Sequence, residues 1–111
     1  MTVTVEATGT QTATVSTEHT LNSGSFTGAK TYMLRVDTDN LANGDVLELR
    51  VKAKVLTGGS EKVLYLASYA HDQGSDDVIK EIVVSSPYST SFTLKQTAGT
   101  GRAFDWHVIS L

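Results

Sequence analysis

From residue 46 to 55 the chain alternates almost without a break. Leu47, Leu49, Val51, Ala53 and Val55 fall on one side of an extended chain, and Glu48, Arg50, Lys52 and Lys54 on the other. A helix would mix these charges into the apolar stripe, so the segment reads as a β-strand with one buried face. The same period of two recurs in Tyr32, Leu34 and Val36, which alternate with Met33, Arg35 and Asp37. It recurs again in Phe104, Trp106 and Val108, set against Asp105, His107 and Ile109. Residues 78–86, ended by Pro87, and residues 89–97, which carry Phe92 and Leu94, add two more strands.

Residues 61–71 differ. Val63, Tyr65, Ala67 and Tyr69 alternate with Leu64, Leu66 and Ser68, so both faces are fairly apolar. Such a strand is expected either at the centre of a sheet or under a subunit contact. Near the N-terminus, residues 2–8 alternate, with Val3, Val5 and Ala7 on one face. Gly9-Thr10 then offers a turn, and residues 12–18 make a second, weakly apolar strand. Residues 22–28 form a Ser/Gly loop with Phe26 as its anchor.

Turn formers separate these runs: Asp37 to Asp45, with Gly44 expected at positive φ, then Thr57-Gly-Gly-Ser60, Asp72 to Asp77, and Ala98 to Gly101. About eight short strands with no helix between them predict an all-β fold, an antiparallel β-sandwich of jelly-roll type. The expected core is Leu34, Val36, Leu47, Leu49, Val51, Val55, Phe92, Leu94, Phe104 and Trp106. Residues 30–111 carry the sandwich, and residues 1–29 are expected to be an N-terminal arm or edge strands of the same single domain.

Composition narrows the function. The chain has 111 residues, 16 of them Thr, which suits pleated half-buried surfaces. With no cysteine, disulfides, thiolate nucleophiles and Cys-ligated zinc are excluded, and a reducing compartment such as a host cytoplasm suits assembly. A net charge of −3 disfavours nucleic acid as a partner, since phosphate binding needs clustered cations. No signal peptide and no membrane-spanning run is expected.

Candidate chemistry is sparse. His19, His71 and His107 are scattered, and no serine elbow accompanies them, so no catalytic residue is assigned and the protein is expected not to be an enzyme. Two acidic loops, Asp37/Asp39/Asp45 and Asp72/Asp76/Asp77, hold enough carboxylates to invite calcium. Leu41 stands at the fifth position, where the EF-hand pattern requires Asp or Asn, and breaks it although Glu48 falls at the twelfth, so solvated Asx turns are the expected reading. No metal and no cofactor is assigned. Tyr32, Phe92, Phe104 and Trp106 lie in apolar register. Tyr88, after Pro87, is the aromatic expected to be free for a partner.

The run from Val36 to Ser60, with Leu41-Ala-Asn-Gly-Asp45 followed by Glu48-Leu-Arg-Val-Lys52, resembles small virion proteins of tailed phages. So does the Trp-bearing segment Phe104 to Leu111. The resemblance covers residues 30–111. It implies a jelly-roll decoration or cement protein on the outer capsid surface, with the major capsid protein as its partner and a homo-oligomer, dimer or trimer, left open. Contact residues are expected among Thr2, Val3, Val5 and Val15 of the arm, together with Tyr88. The alternative is a carbohydrate- or receptor-binding sandwich of a phage tail or fibre.

Overall fold

A computed structural model describes residues 2–23 and 26–111. Eight strands form: β1 (Thr4–Thr12), β2 (Glu18–Thr20), β3 (Lys30–Asp37), β4 (Val46–Ala53), β5 (Lys62–Ala70), β6 (Ile79–Ser86), β7 (Thr90–Ala98) and β8 (Ala103–Ser110). They make two antiparallel sheets, ordered β1-β8-β3-β6 and β2-β7-β4-β5. First strand pairs with last, second with seventh, third with sixth and fourth with fifth. This is the order of a jelly roll, a long hairpin folded over into two facing sheets.

The strong alternations land as read. Leu47, Leu49 and Val51 of β4, Leu34 and Val36 of β3, Phe92 and Leu94 of β7, and Phe104 and Val108 of β8 are fully buried between the sheets. Tyr32 joins them, and its hydroxyl donates to the carbonyl of Thr27 at 2.6 Å, so the buried phenol is satisfied. Phe26 plugs the end of the sandwich, with its ring centroid 5.7 Å from that of Phe92. On the far face of β4, Arg50 and Lys52 pair with Glu48 and Glu18 at 2.7 and 3.1 Å, which leaves a balanced polar surface.

Four local expectations are corrected or narrowed. Val55 is 89% exposed, because β4 ends at Ala53 and the alternation runs on into the β4–β5 turn. No strand covers residues 13–17. β1 instead passes straight through Gly9-Thr10, and residues 14–17 close a turn in which the Thr17 N–H donates to the Thr14 carbonyl. Gly9 can stay in the strand because it lies opposite Trp106, and a β-carbon there would sit 3.1 Å from the indole. Of the two placements expected for β5, the central one is excluded: it is an edge strand, with β4 on one side only.

The last correction concerns Val3, Val5 and Ala7, which do not share a face. Val5 pairs with Ile109 but Ala7 pairs with Val108, so Glu6 is an extra, bulged residue. Ala7 packs on the core, while Val5 is turned to the outside. A single inserted residue reverses the side-chain parity of everything before it.

Candidate functional site

On the outer face of the first sheet, residues opposite one another on adjacent strands point the same way. Val83 of β6 lies opposite Met33 of β3, Met33 opposite Ile109 of β8, and Ile109 opposite Val5 of β1. One apolar row therefore crosses all four strands. By alternation, Val3 and Leu111 extend it at the same end of β1 and β8. Val3, Val5, Val83 and Leu111 are 58, 62, 56 and 43% exposed. Ile109 is buried although it takes no part in the inter-sheet core. Its neighbours on the outer face cover it.

The next row is ionic. Arg35 lies between Glu81 and His107, and its Nε donates to Glu81 Oε2 at 2.6 Å. An apolar band bordered by charges is what a docking face looks like, whereas a solvated sheet keeps polar residues outside.

The bulge that aims Val3 and Val5 outward is held in place. Glu6 Oε1 accepts from Ser110 Oγ at 2.5 Å and from Lys30 Nζ at 3.0 Å. The Ser110 hydrogen bond, then the Lys30 ammonium, holds the Glu6 carboxyl below its ordinary range.

The residues expected to meet a partner separate in space. Val3 and Val5 stand together on the outer face, with Thr2 exposed just ahead of β1. Tyr88 is half-buried in the β6–β7 turn, where its N–H donates to Ser86 Oγ at 3.2 Å. Val15 is half-buried at the opposite end of the sandwich, beside the β7–β8 turn, where the Ser16 N–H donates to the Gln96 carbonyl. Nothing in the sequence singles out Met33, Val83 and Ile109 as members of one row. Each follows ordinary alternation, and only the cross-strand register shows that they line up.

The acidic loops are built as turns. Asp37 Oδ1 accepts from the Asp39 N–H at 2.9 Å, and Asp72 Oδ1 from the Gly74 N–H at 2.7 Å, both Asx turns. Asp45 is buried and occupied. It accepts from the N–H groups of Ala42 and Thr100 at 3.0 Å and from Arg102 Nε at 2.8 Å, which ties the β3–β4 and β7–β8 turns together. Gly99 at φ 89° permits this approach, since a β-carbon there would overlap the carboxylate. Fully buried Gln96 completes the knot, accepting from the Arg102 N–H at 3.0 Å and donating to the Thr100 carbonyl at 2.6 Å. Among the described residues no group of three His, Asp or Glu side chains is placed to hold a metal.

The histidines lie apart. His19 Nε2 accepts from the Thr14 N–H, and His71 Nδ1 from the Gly44 N–H. His107 Nε2 is buried on the outer face without a partner among the described residues. Of the aromatic side chains, Tyr65 is the one more than half exposed, at 53%.

No protein family, curated protein or solved structure matches this chain. The surface must therefore be read from its own chemistry. That chemistry is a row of exposed apolar side chains across one sheet face.

Proposed function

We propose that this chain is a virion structural protein that docks on the outer surface of an assembled phage capsid and stiffens it, acting by binding rather than by catalysis. The observation that carries the reading is the apolar row Val5–Ile109–Met33–Val83, on a face where a free sandwich would be polar. The contact reads as protein rather than glycan, because sugar recognition wants flat exposed rings and most aromatic side chains here are in the core. The net charge of −3 argues against contact with the genome. The resemblance of residues 36–60 and 104–111 to capsid decoration proteins supplies the partner, the major capsid protein. Many copies on a lattice make a modest single contact effective.

The test is co-sedimentation with expanded empty capsids and with unassembled capsid subunits. Wild-type protein is expected to pellet with capsids and to ignore free subunits. Val5→Asp and Val83→Asp, both at exposed positions, are expected to abolish pelleting without lowering Tm. Equal binding to both forms, binding to neither, or full binding by both variants overturns the reading, and retention on a glycan array would put the tail or fibre alternative first.

A further inference from the structure

The second sheet ends on β5, and apart from one bulge this edge lacks the devices that keep edges apart. Natural edge strands are blunted by prolines, by inward-pointing charges or by lysines along the strand. β5 runs nine residues with no proline, and its one charge, Lys62, is its first residue. A bulge at Leu64 is the only irregularity, the register passing from Val51↔Tyr65 to Lys52↔Val63. Val63, Leu64, Tyr65 and Leu66 are 52, 60, 53 and 48% exposed. Half-exposed apolar side chains on both faces, beside unpaired main-chain groups, are the features of a strand that accepts another strand.

We infer that β5 pairs antiparallel with β5 of a second copy of this chain about a two-fold axis at Leu66, joining the two β2-β7-β4-β5 sheets into one continuous sheet. The strand is suited to itself. A two-fold at Leu66 sets Leu66 against its own copy on the outer face and places the bulged Leu64 of each strand opposite Ser68 of the other. It also brings Lys62 of each copy opposite Ala70 of the other, next to the turn that carries Asp72. The strand therefore has a cation at one end and a carboxylate just past the other, neither in an ion pair among the described residues, and an antiparallel copy brings opposite charges to both ends at once.

The area fits a modest dimer. Two nine-residue edges with these side chains bury on the order of 1,000 Å² in total, at the lower bound for a specific interface. Interfaces of this size belong with weak or transient association. This inference is independent of the capsid reading, since β5 belongs to the other sheet from the Val5–Val83 row and the dimer forms without any capsid present.

The chain has no cysteine, so a single introduced thiol reports the axis without background. Leu66→Cys is expected to form a disulfide-linked dimer under mild oxidation, because residues paired on a two-fold lie within bonding reach. Thr57→Cys, exposed in the β4–β5 turn, is expected to stay monomeric. In sedimentation equilibrium at tens to hundreds of micromolar, wild-type protein is expected to dimerise. Leu64→Lys/Leu66→Lys is expected to sediment as a monomer with an unchanged Tm. A wild-type protein that stays monomeric throughout, cross-linking as efficient from position 57 as from 66, or a doubly substituted protein that still dimerises would each overturn the inference.

Discussion

The hydroxyl of Ser110 donates to the Glu6 carboxylate at 2.5 Å, and this bond fixes the bulge that turns Val5 away from the core. It crosses from the last strand to the first, so the outward setting of Val5 depends on a contact between the two ends of the fold. Lys30 completes it from β3, 3.0 Å from the same oxygen.

Acid should loosen this arrangement. The Glu6 carboxyl is held below its ordinary range, first by the Ser110 hydrogen bond and then by Lys30. Glu18 is lowered as well, chiefly by the Thr93 hydroxyl, which donates at 2.6 Å. Folded-state values below unfolded ones mean that these groups bind more protons when the chain unfolds. Their stabilisation is complete above the ordinary carboxylate pKa of 4.5 and disappears as pH falls through the lowered folded values. Tm is therefore expected to be flat from pH 7 to about 5 and to fall steadily below about 4.5. Glu6→Gln is expected to remove part of that slope. A Tm that rises on acidification, or a slope unchanged in the variant, refutes the assignment.

Asp45→Asn should be costly although it changes so little volume. Burial by itself raises the Asp45 pKa, and the donors from Ala42, Arg102 and Thr100 overcome it, leaving the carboxyl ionised and lower than usual. The amide would turn its own N–H donors toward one of these donors and leave Arg102 without its counter-charge. A loss of about 2–3 kcal/mol is expected in urea denaturation, the usual range for a charged, buried hydrogen bond. A loss below about 0.5 kcal/mol, within what ordinary surface changes produce, would show that the knot is not structural.

Trp106→Ala tests the packing of the first sheet on its glycine. The indole is 8% exposed and lies against Gly9 on the neighbouring strand. Its removal is expected to cost about 3–5 kcal/mol, much of the stability of a domain this size. An unchanged melting temperature would mean that Trp106 is not part of the core.

The sequence alone determined the class of fold and most of its core. Alternation at Leu47, Leu49 and Val51, at Leu34 and Val36, and at Phe104 and Trp106 reports burial directly, because side chains leave a strand on opposite sides. It also identified the Asx turns at Asp37 and Asp72, whose bonds are made within three residues. Tertiary structure alone decided the rest. Val55 continues the pattern of β4 but lies past the last residue with a partner, and a pattern does not mark where pairing stops. Asp45 sits among loop carboxylates in the sequence, and its role comes from Arg102, 57 residues away. β5 looks central because apolar residues on both faces signal a covered strand, and that signal is the same whether the cover is the chain's own sheet or another copy. The outer row was the least legible feature. Val5, Ile109, Met33 and Val83 come from four distant segments, and one bulged residue, Glu6, sets which way Val5 points.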